Sequence, residues 1–208
     1  ETEKLLLSII LISSFSFSQE TDYEGFMNFS YNDDSGKIIL EIKNLDSEFM
    51  YINSLSRGVG NNDLGLDRGQ LGNSRVVYFT KRGNKILLIQ PNLRYVSNSS
   101  NYLENKAVEE AFARSVLFGF DIIEKSNDSY KIDITSFLIS DAHGVSQRLK
   151  YSNSGSYTLN KSMSAIDLDR TKAFPKNIEF DVLLTFTGNP LGNFCLLYTS
   201  PSPRDVEE

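Results

Sequence analysis

The chain has 208 residues, of which 40% are apolar, 12% aromatic and 23% charged, and its formal net charge is −6. This composition is typical of a globular protein with a packed core and excludes an intrinsically disordered chain. The negative net charge and the scattered Lys and Arg residues argue against nucleic acids and anionic membranes as partners, because both require a basic face.

Both ends of the chain are expected to lie outside the folded domain. The apolar run from Leu5 to Phe17 follows a lysine and has the length of a signal peptide, so residues 1–18 are predicted to be removed on export. A buried strand or helix is the alternative for this run. Residues 195–208 resemble translated sequencing-adaptor sequence, with a Pro/Ser-rich linker as the alternative. Residues 19–194 are therefore predicted to be a fragment of an exported protein, located in the periplasm, at the cell surface or in the medium.

The first half of this region has the pattern of antiparallel hairpins. Short connections that contain glycine, at 32–36 and 82–84, separate runs rich in strand-forming residues. In one run Ile38, Leu40 and Ile42 alternate with mostly polar residues, which indicates a strand with one buried face. Strands are predicted at residues 26–31, 37–43, 48–53, 75–81 and 85–90.

A glycine-rich loop, Asn62–Gly72, connects the third of these strands to the second hairpin. Glycine loses more backbone freedom on folding than any other residue, so Gly65, Gly69 and Gly72 make this loop costly to order. They predict positive φ angles or a close approach of backbone.

The charged residues of this loop do not have the spacing of a calcium site. Asp63 and Asp67 depart from the D-x-[DN]-x-[DN]-G pattern, and no bidentate glutamate follows at the required distance. We expect these carboxylates to accept hydrogen bonds from loop N–H groups and to pair with Arg68, with a metal site as the alternative.

One amphipathic helix is predicted from about Leu103 to Leu117. Its apolar residues recur at intervals of one, three and four and form a single stripe. Asn101 and Glu104 have the spacing of a capping box at its start, and Gly119 is expected to end it.

The remaining elements are predicted to be mostly strands. Runs at 120–124 and 130–134 are expected to form a hairpin, a short helical turn is expected after a cap at Thr135 or Ser136, and a last strand is expected at 178–187. The fold class is therefore α+β and β-rich, with a mostly antiparallel sheet built from hairpins and one packed α-helix at about 103–117.

The sequence indicates that this chain has no catalytic site of its own. A zinc peptidase needs two imidazoles one helical turn apart with a glutamate between them, and His143 is the only histidine. No serine lies in a G-x-S-x-G turn, and the glycine-rich loop lacks the G-x-x-x-x-G-K-[ST] order of a phosphate-binding loop. No catalytic residue, metal ligand or cofactor is predicted in residues 19–194.

Asp141 and His143 form the most notable polar pair. We expect Asp141 to cap a turn and His143 to hold a backbone carbonyl. The alternatives are a metal ligand or a contact with a partner domain.

Six segments resemble, in the same order and at similar spacing, the amino-terminal module of large secreted bacterial zinc-dependent metalloproteases. They are Tyr23–Phe26, Asn62–Gly72, Leu88–Asn92, Ala107–Ala113, Asp141–Val145 and Arg170–Asn177. In such proteins this module is classed as a domain of unknown function and precedes a separate peptidase domain that carries H-E-x-x-H. The resemblance implies zinc in that peptidase domain and none in this fragment.

The function that follows from this resemblance is that of a non-catalytic scaffold or latency module whose partner is its own downstream peptidase domain. The candidate contact residues for that domain are Asp63, Asp67, Arg68, Asp141 and His143. They lie in polar, glycine-rich loops, where interaction residues are commonly found.

Two other functions remain open at this point. A peptide- or glycan-binding module would present an exposed aromatic cluster, and Tyr95, Tyr102 and Tyr151 are its candidates. The other expectation for these tyrosines is partial burial at strand edges. A hydrolytic activity of the chain itself is the weakest hypothesis, since it has a single imidazole.

Overall fold

The computed structural model describes residues 20–58 and 64–191. The strands in these ranges are β1 Glu20–Tyr23, β2 Phe29–Asn32, β3 Lys37–Ile42, β4 Phe49–Tyr51, β5 Arg75–Arg82, β6 Lys85–Gln90, β7 Ser115–Lys125, β8 Tyr130–Asp133, β9 Gly155–Leu159, β10 Ala165–Ala173, β11 Ile178–Leu183 and β12 Phe186–Pro190. The helices are α1 Tyr102–Ala111, α2 Thr135–Leu138 and α3 Val145–Tyr151, and a 3₁₀ turn spans Lys161–Met163.

Eight strands form one antiparallel sheet in the order β1-β2-β3-β8-β7-β6-β5-β4. Two separate antiparallel ribbons, β10–β11 and β9–β12, accompany it. The predicted fold class, β-rich α+β with a mostly antiparallel sheet, is confirmed. None of the helices in the described ranges is long and apolar enough to cross a membrane.

The predicted hairpins are confirmed, and their turns show why they form where they do. Between β2 and β3 the side chain of Asn32 accepts the N–H of Ser35 at 2.9 Å, and Gly36 has a φ of +66°. Between β5 and β6 Gly83 has a φ of +58°. Both glycines occupy the left-handed region that side chains with a Cβ disfavour, so each turn has its glycine where the chain reverses.

The main core covers one face of the eight-stranded sheet. Ile38, Leu40 and Ile42 of β3 are all buried, as their alternation predicts. Burial of each such side chain contributes about 1.5–3 kcal/mol. The buried residues of this core are Phe29, Ile38, Leu40, Ile42, Val77, Phe79, Ile86, Leu88, Phe120, Ile132 and Ile134.

The sheet curls until its two edges approach each other. Phe26, just beyond edge strand β1, makes an edge contact with Phe49 of the opposite edge strand β4, with ring centroids 6.3 Å apart. The β10–β11 ribbon packs beside this junction. The N–H of Phe26 donates to the carbonyl of Phe174 at 2.8 Å, and Phe180 of β11 lies 4.8 Å from Phe29 between centroids. The curled sheet is thus an incomplete barrel with a ribbon at its opening.

The predicted helix is shorter than its sequence pattern indicates. Its start is as expected, because the Asn101 side chain accepts the N–H of Leu103 at 3.0 Å. The expected continuation to Leu117 was wrong: α1 ends at Ala111, and Ser115 begins β7, which pairs with β6. Gly119 lies inside that strand opposite Leu87 rather than at a helix end. Pairing with β6 outweighs the local helical periodicity here.

The predicted last strand is divided between two ribbons. Residues up to Leu183 form β11 with β10, whereas Phe186 begins β12, which pairs with β9. The cap of the short helix α2 also differs, since its first N–H, that of Thr135, donates to the carboxylate of Asp133 at 2.9 Å. Strands β1 and β10 and helix α3 were not predicted.

Asp133 connects three elements through one carboxylate. The hydroxyl of Thr135 accepts the N–H of Ile38 in β3 at 2.9 Å, and Lys37 lies 3.2 Å from the carboxylate. Burial raises the pKa of Asp133, but the hydrogen bonds from Thr135 and the charge of Lys37 outweigh it and hold the pKa below its usual value.

We expect Asp133→Asn to lower the free energy of unfolding by about 1 kcal/mol at neutral pH, because the amide keeps one acceptor oxygen but loses the second and the charge that attracts Lys37. The folded pKa is lower than the unfolded one, about 3.9, so the difference should be full above that pH and disappear as the pH falls through the folded pKa. Urea unfolding across this range measures it. The exposed Asp121, which pairs with Lys85 at 3.2 Å, is the control, and Asp121→Asn should change stability by less than about 0.5 kcal/mol. If both variants lost the same free energy of unfolding, the stabilising role given to Asp133 would be contradicted.

Candidate functional site

Residues 64–72, the described part of the glycine-rich loop, form one side of a second apolar core. Leu64 and Leu66 are buried against Val145 and Leu149 of α3 and against Phe186 of β12. Between the two leucines Gly65 has a φ of +57°. The left-handed turn at this glycine lets both leucines enter the same core. Within residues 64–72 these two leucines are buried, whereas Asp67 and Arg68 are exposed.

Backbone hydrogen bonds close the base of the loop. The N–H of Leu55 donates to Gln70 at 3.0 Å, that of Gly69 to Leu55 at 2.7 Å, and that of Gly72 to Asn53 at 2.7 Å. Gly69 has a φ of +82°, which agrees with the positive φ angles expected from its sequence. The described part of the loop is therefore held at its base and packed by its leucines.

Asp141 caps α3, as expected. Its two carboxylate oxygens accept the N–H groups of Val145 at 2.7 Å and Ser146 at 2.9 Å. These are two of the N–H groups at the start of the helix that have no partner within it. The carboxylate is consequently used inside the fold.

His143 has a different partner from the one expected. Its Nδ1 lies 2.8 Å from the side-chain amide nitrogen of Asn53, whereas a backbone carbonyl had been expected. The amide donates when Nδ1 is unprotonated. Burial lowers the pKa of His143, Arg148 lowers it further, and the opposing effect of Asp141 is smaller. The neutral imidazole thus joins the segment before α3 to the chain that follows β4.

The other predicted contact residues are on the surface of the loop or outside the described ranges. Asp67 and Arg68 are exposed, and the described residues provide no ion pair between them, so the expected pairing was wrong. Asp63 lies outside the described residues. Within residues 20–58 and 64–191, no group of three or more His, Cys, Asp or Glu side chains is arranged to hold a metal ion.

A cleft of about 1040 Å³ opens inside the curl of the sheet, between the sheet and β11, and we call it the central cleft. Six of the aromatic side chains that line it come from these two walls and from α2. They are Phe49, Tyr51, Phe79, Phe120, Phe137 and Phe180.

Paired charges occupy the rim of the central cleft. Arg57 lies 3.5 Å from Asp167, and Arg170 lies 3.4 Å from Asp181. Asp181 also accepts the hydroxyl of Ser56 at 2.9 Å. These residues were not found from the sequence because their partners are more than a hundred positions away or on the facing strand of a ribbon that was not predicted.

A second feature that the sequence did not reveal is an exposed apolar segment, residues 93–116, between β6 and β7. No residue of its helix α1 is buried. Its large exposed side chains are Leu93, Tyr95, Val96, Tyr102, Leu103, Phe112 and Val116. A concentration of apolar side chains like this one is typical of an interaction surface.

The three tyrosines proposed as an aromatic cluster are exposed but separate. Tyr95, Tyr102 and Tyr151 are 47%, 71% and 77% exposed, so the expectation of partial burial at strand edges was wrong. Tyr95 stacks on Phe112, with ring centroids 4.1 Å apart, rather than on another of these tyrosines.

Together these observations define a β-rich module with a large interior cleft and an exposed apolar segment. Residues 69–204 match the family described as a domain of unknown function, DUF5117. The match covers more than half of the chain, which therefore belongs to this family. No curated protein and no solved structure matches the chain significantly.

The hydrogen bond between His143 and Asn53 predicts a pH-dependent stability. The pKa of His143 is lower in the folded chain than its usual value of about 6.5, so its contribution is full above that pH and is lost as the pH falls through the folded pKa. We expect the difference in free energy of unfolding between the wild type and His143→Gln, about 1 kcal/mol at pH 8, to shrink towards pH 5. Urea unfolding at several pH values measures this difference, and a constant value would show that His143 does not titrate in this range.

Proposed function

We propose that this chain is an exported, non-catalytic module that docks against the downstream peptidase domain of a zinc-dependent metalloprotease and holds it in position. The resemblance to the amino-terminal modules of such enzymes supplies the partner. The observation that carries the proposal is the exposed apolar segment, residues 93–116. Zinc belongs to the peptidase domain in this proposal.

The polar side of α1 supports this reading of its apolar side. Lys106 lies 3.6 Å from Glu110, and Arg114 pairs with Glu109, so four of the six charged side chains of the segment are paired with one another. Among the apolar side chains Tyr95 stacks on Phe112, whereas Leu103 is 69% exposed. Burial of a leucine side chain contributes about 1.5–3 kcal/mol, which makes this face favourable for docking.

The residues first proposed for the contact divide into two groups. Asp141 and His143 have partners inside the fold and would act on the contact through the position of α3. Asp67 and Arg68 are exposed and remain available to a partner. Whether the module acts as a scaffold or maintains latency depends on the activity of the peptidase domain with and without it.

We expect Leu103→Ser to act only when the peptidase domain is present. In this chain alone the side chain is exposed, so the free energy of unfolding should change by less than about 0.5 kcal/mol. In the full-length enzyme the same substitution should weaken domain docking by about 1–3 kcal/mol and lower the melting temperature or change the peptidase activity.

Met163→Ser is the matched control, because Met163 is also exposed but lies in the 3₁₀ turn outside the apolar segment. It should leave both proteins unchanged. If Leu103→Ser had the same small effect in the full-length enzyme as in this chain, docking through the segment would be wrong.

A peptide- or glycan-binding function is the alternative, and the exposed stack of Tyr95 on Phe112 favours it. The side chain of Arg94 lies over the same tyrosine ring at 5.5 Å. In that case substitutions in the segment would weaken ligand binding by the isolated chain and leave the peptidase domain unaffected.

A further inference from the structure

The central cleft reaches from the surface into the main core. Its floor includes Leu40, Phe79 and Phe120, which are buried residues of the sheet. Its upper walls are β11 and α2, where Val182 and Leu138 are only partly buried. In closed eight-stranded barrels the interior is filled by side chains or holds one small ligand, and in the incomplete barrel here the cleft leaves such space open.

The lining of the cleft decides the chemistry of that ligand. The residues that line the floor and the α2 wall are apolar, with Leu40, Phe79, Leu88, Phe120 and Phe137 among them. A sugar or nucleotide in the interior would leave its own hydroxyl or phosphate groups unpaired, which costs more than an apolar group does. The interior therefore favours an apolar occupant.

The rim adds one further constraint. The two arginines there are paired with Asp167 and Asp181, and the carboxylate of Asp141 caps α3. Lys176 also lines the cleft, is exposed and has no ion-pair partner among the described residues. It is the rim cation that is available to a negatively charged group, and the Glu179 carboxylate, which also lines the cleft, accepts the side-chain N–H of Asn177 at 3.0 Å.

We propose that the central cleft binds one long-chain fatty acid, with its acyl chain against the aromatic floor and its carboxylate at the rim beside Lys176. The volume of about 1040 Å³ is slightly above the range for small-molecule sites, so the cleft has room for a long acyl chain. The apolar floor agrees with an occupant whose polar atoms are all at one end.

The test uses the chain by itself and the fluorescent fatty acid cis-parinaric acid, with oleate and 1-monooleoylglycerol as competitors. We expect saturable binding of one cis-parinaric acid per chain and its displacement by oleate. Val182→Trp and Leu138→Trp place an indole in the cleft from opposite walls, and each should weaken binding by at least about tenfold. Ile123→Trp is the control, since Ile123 is exposed on β7 and does not line the cleft, and its affinity should stay within about twofold of the wild type.

Lys176→Gln separates the two sources of an acyl chain. An exposed ion pair contributes at most about 1 kcal/mol, so this substitution should weaken oleate by up to about fivefold and leave 1-monooleoylglycerol unchanged. If Lys176→Gln bound oleate and 1-monooleoylglycerol as tightly as the wild type does, the role of Lys176 would be overturned, and with it a free fatty acid as the ligand.

Two outcomes would overturn the cleft as the site. One is the lack of saturable cis-parinaric acid binding by the wild type. The other is unchanged affinity in whichever tryptophan variants keep the melting temperature of the wild type, since the ligand would then lie elsewhere, for example on the exposed apolar segment. If Leu103→Ser has no effect in the full-length enzyme, the proposed docking is wrong but this test is unaffected, because it involves neither that residue nor the peptidase domain.

Discussion

The structure depends on the burial of one apolar face of an eight-stranded antiparallel sheet in a chain with few and short helices. Layered α+β folds cover such a face with helices, but no residue of α1 is buried here and α2 has only four residues. The sheet buries most of its apolar face by curling around it. The β10–β11 ribbon then packs at the opening through Phe180, which lies against Phe29.

Incomplete closure accounts for the features of functional interest. Because a ribbon and one helical turn cover the opening in place of a full layer, space remains inside the curl, and partly buried rings such as Phe49 and Phe137 line it. The exposed apolar segment is also left uncovered by the sheet. Since β7 begins soon after α1, the helix lies in the connection between two strands and does not pack on the core face. Both features are apolar surface that the described residues leave uncovered.

The sequence patterns correctly predicted the features that depend on residues close together in the chain. The alternation of Ile38, Leu40 and Ile42 and the glycines of the tight turns gave the hairpins, because burial and turn geometry act within a few residues. The apolar residues kept helical spacing as far as Val116, so the sequence pattern predicted a helix there. Only the pairing with β6 shows that Val116 is in a strand. In the candidate site, the Asp141 cap was predictable, whereas the burial of Leu66 was hidden by the charges around it.

The central cleft could not be predicted, since its walls come from segments more than a hundred residues apart. The claim on which the account rests is that the ribbon is packed against the sheet by Phe29 and Phe180. A double-mutant cycle with Phe29→Leu and Phe180→Leu, followed by urea unfolding, measures their interaction directly. The account predicts a coupling energy of about 0.5–1.5 kcal/mol, the range found for aromatic pairs, and additive effects of the two substitutions would contradict it.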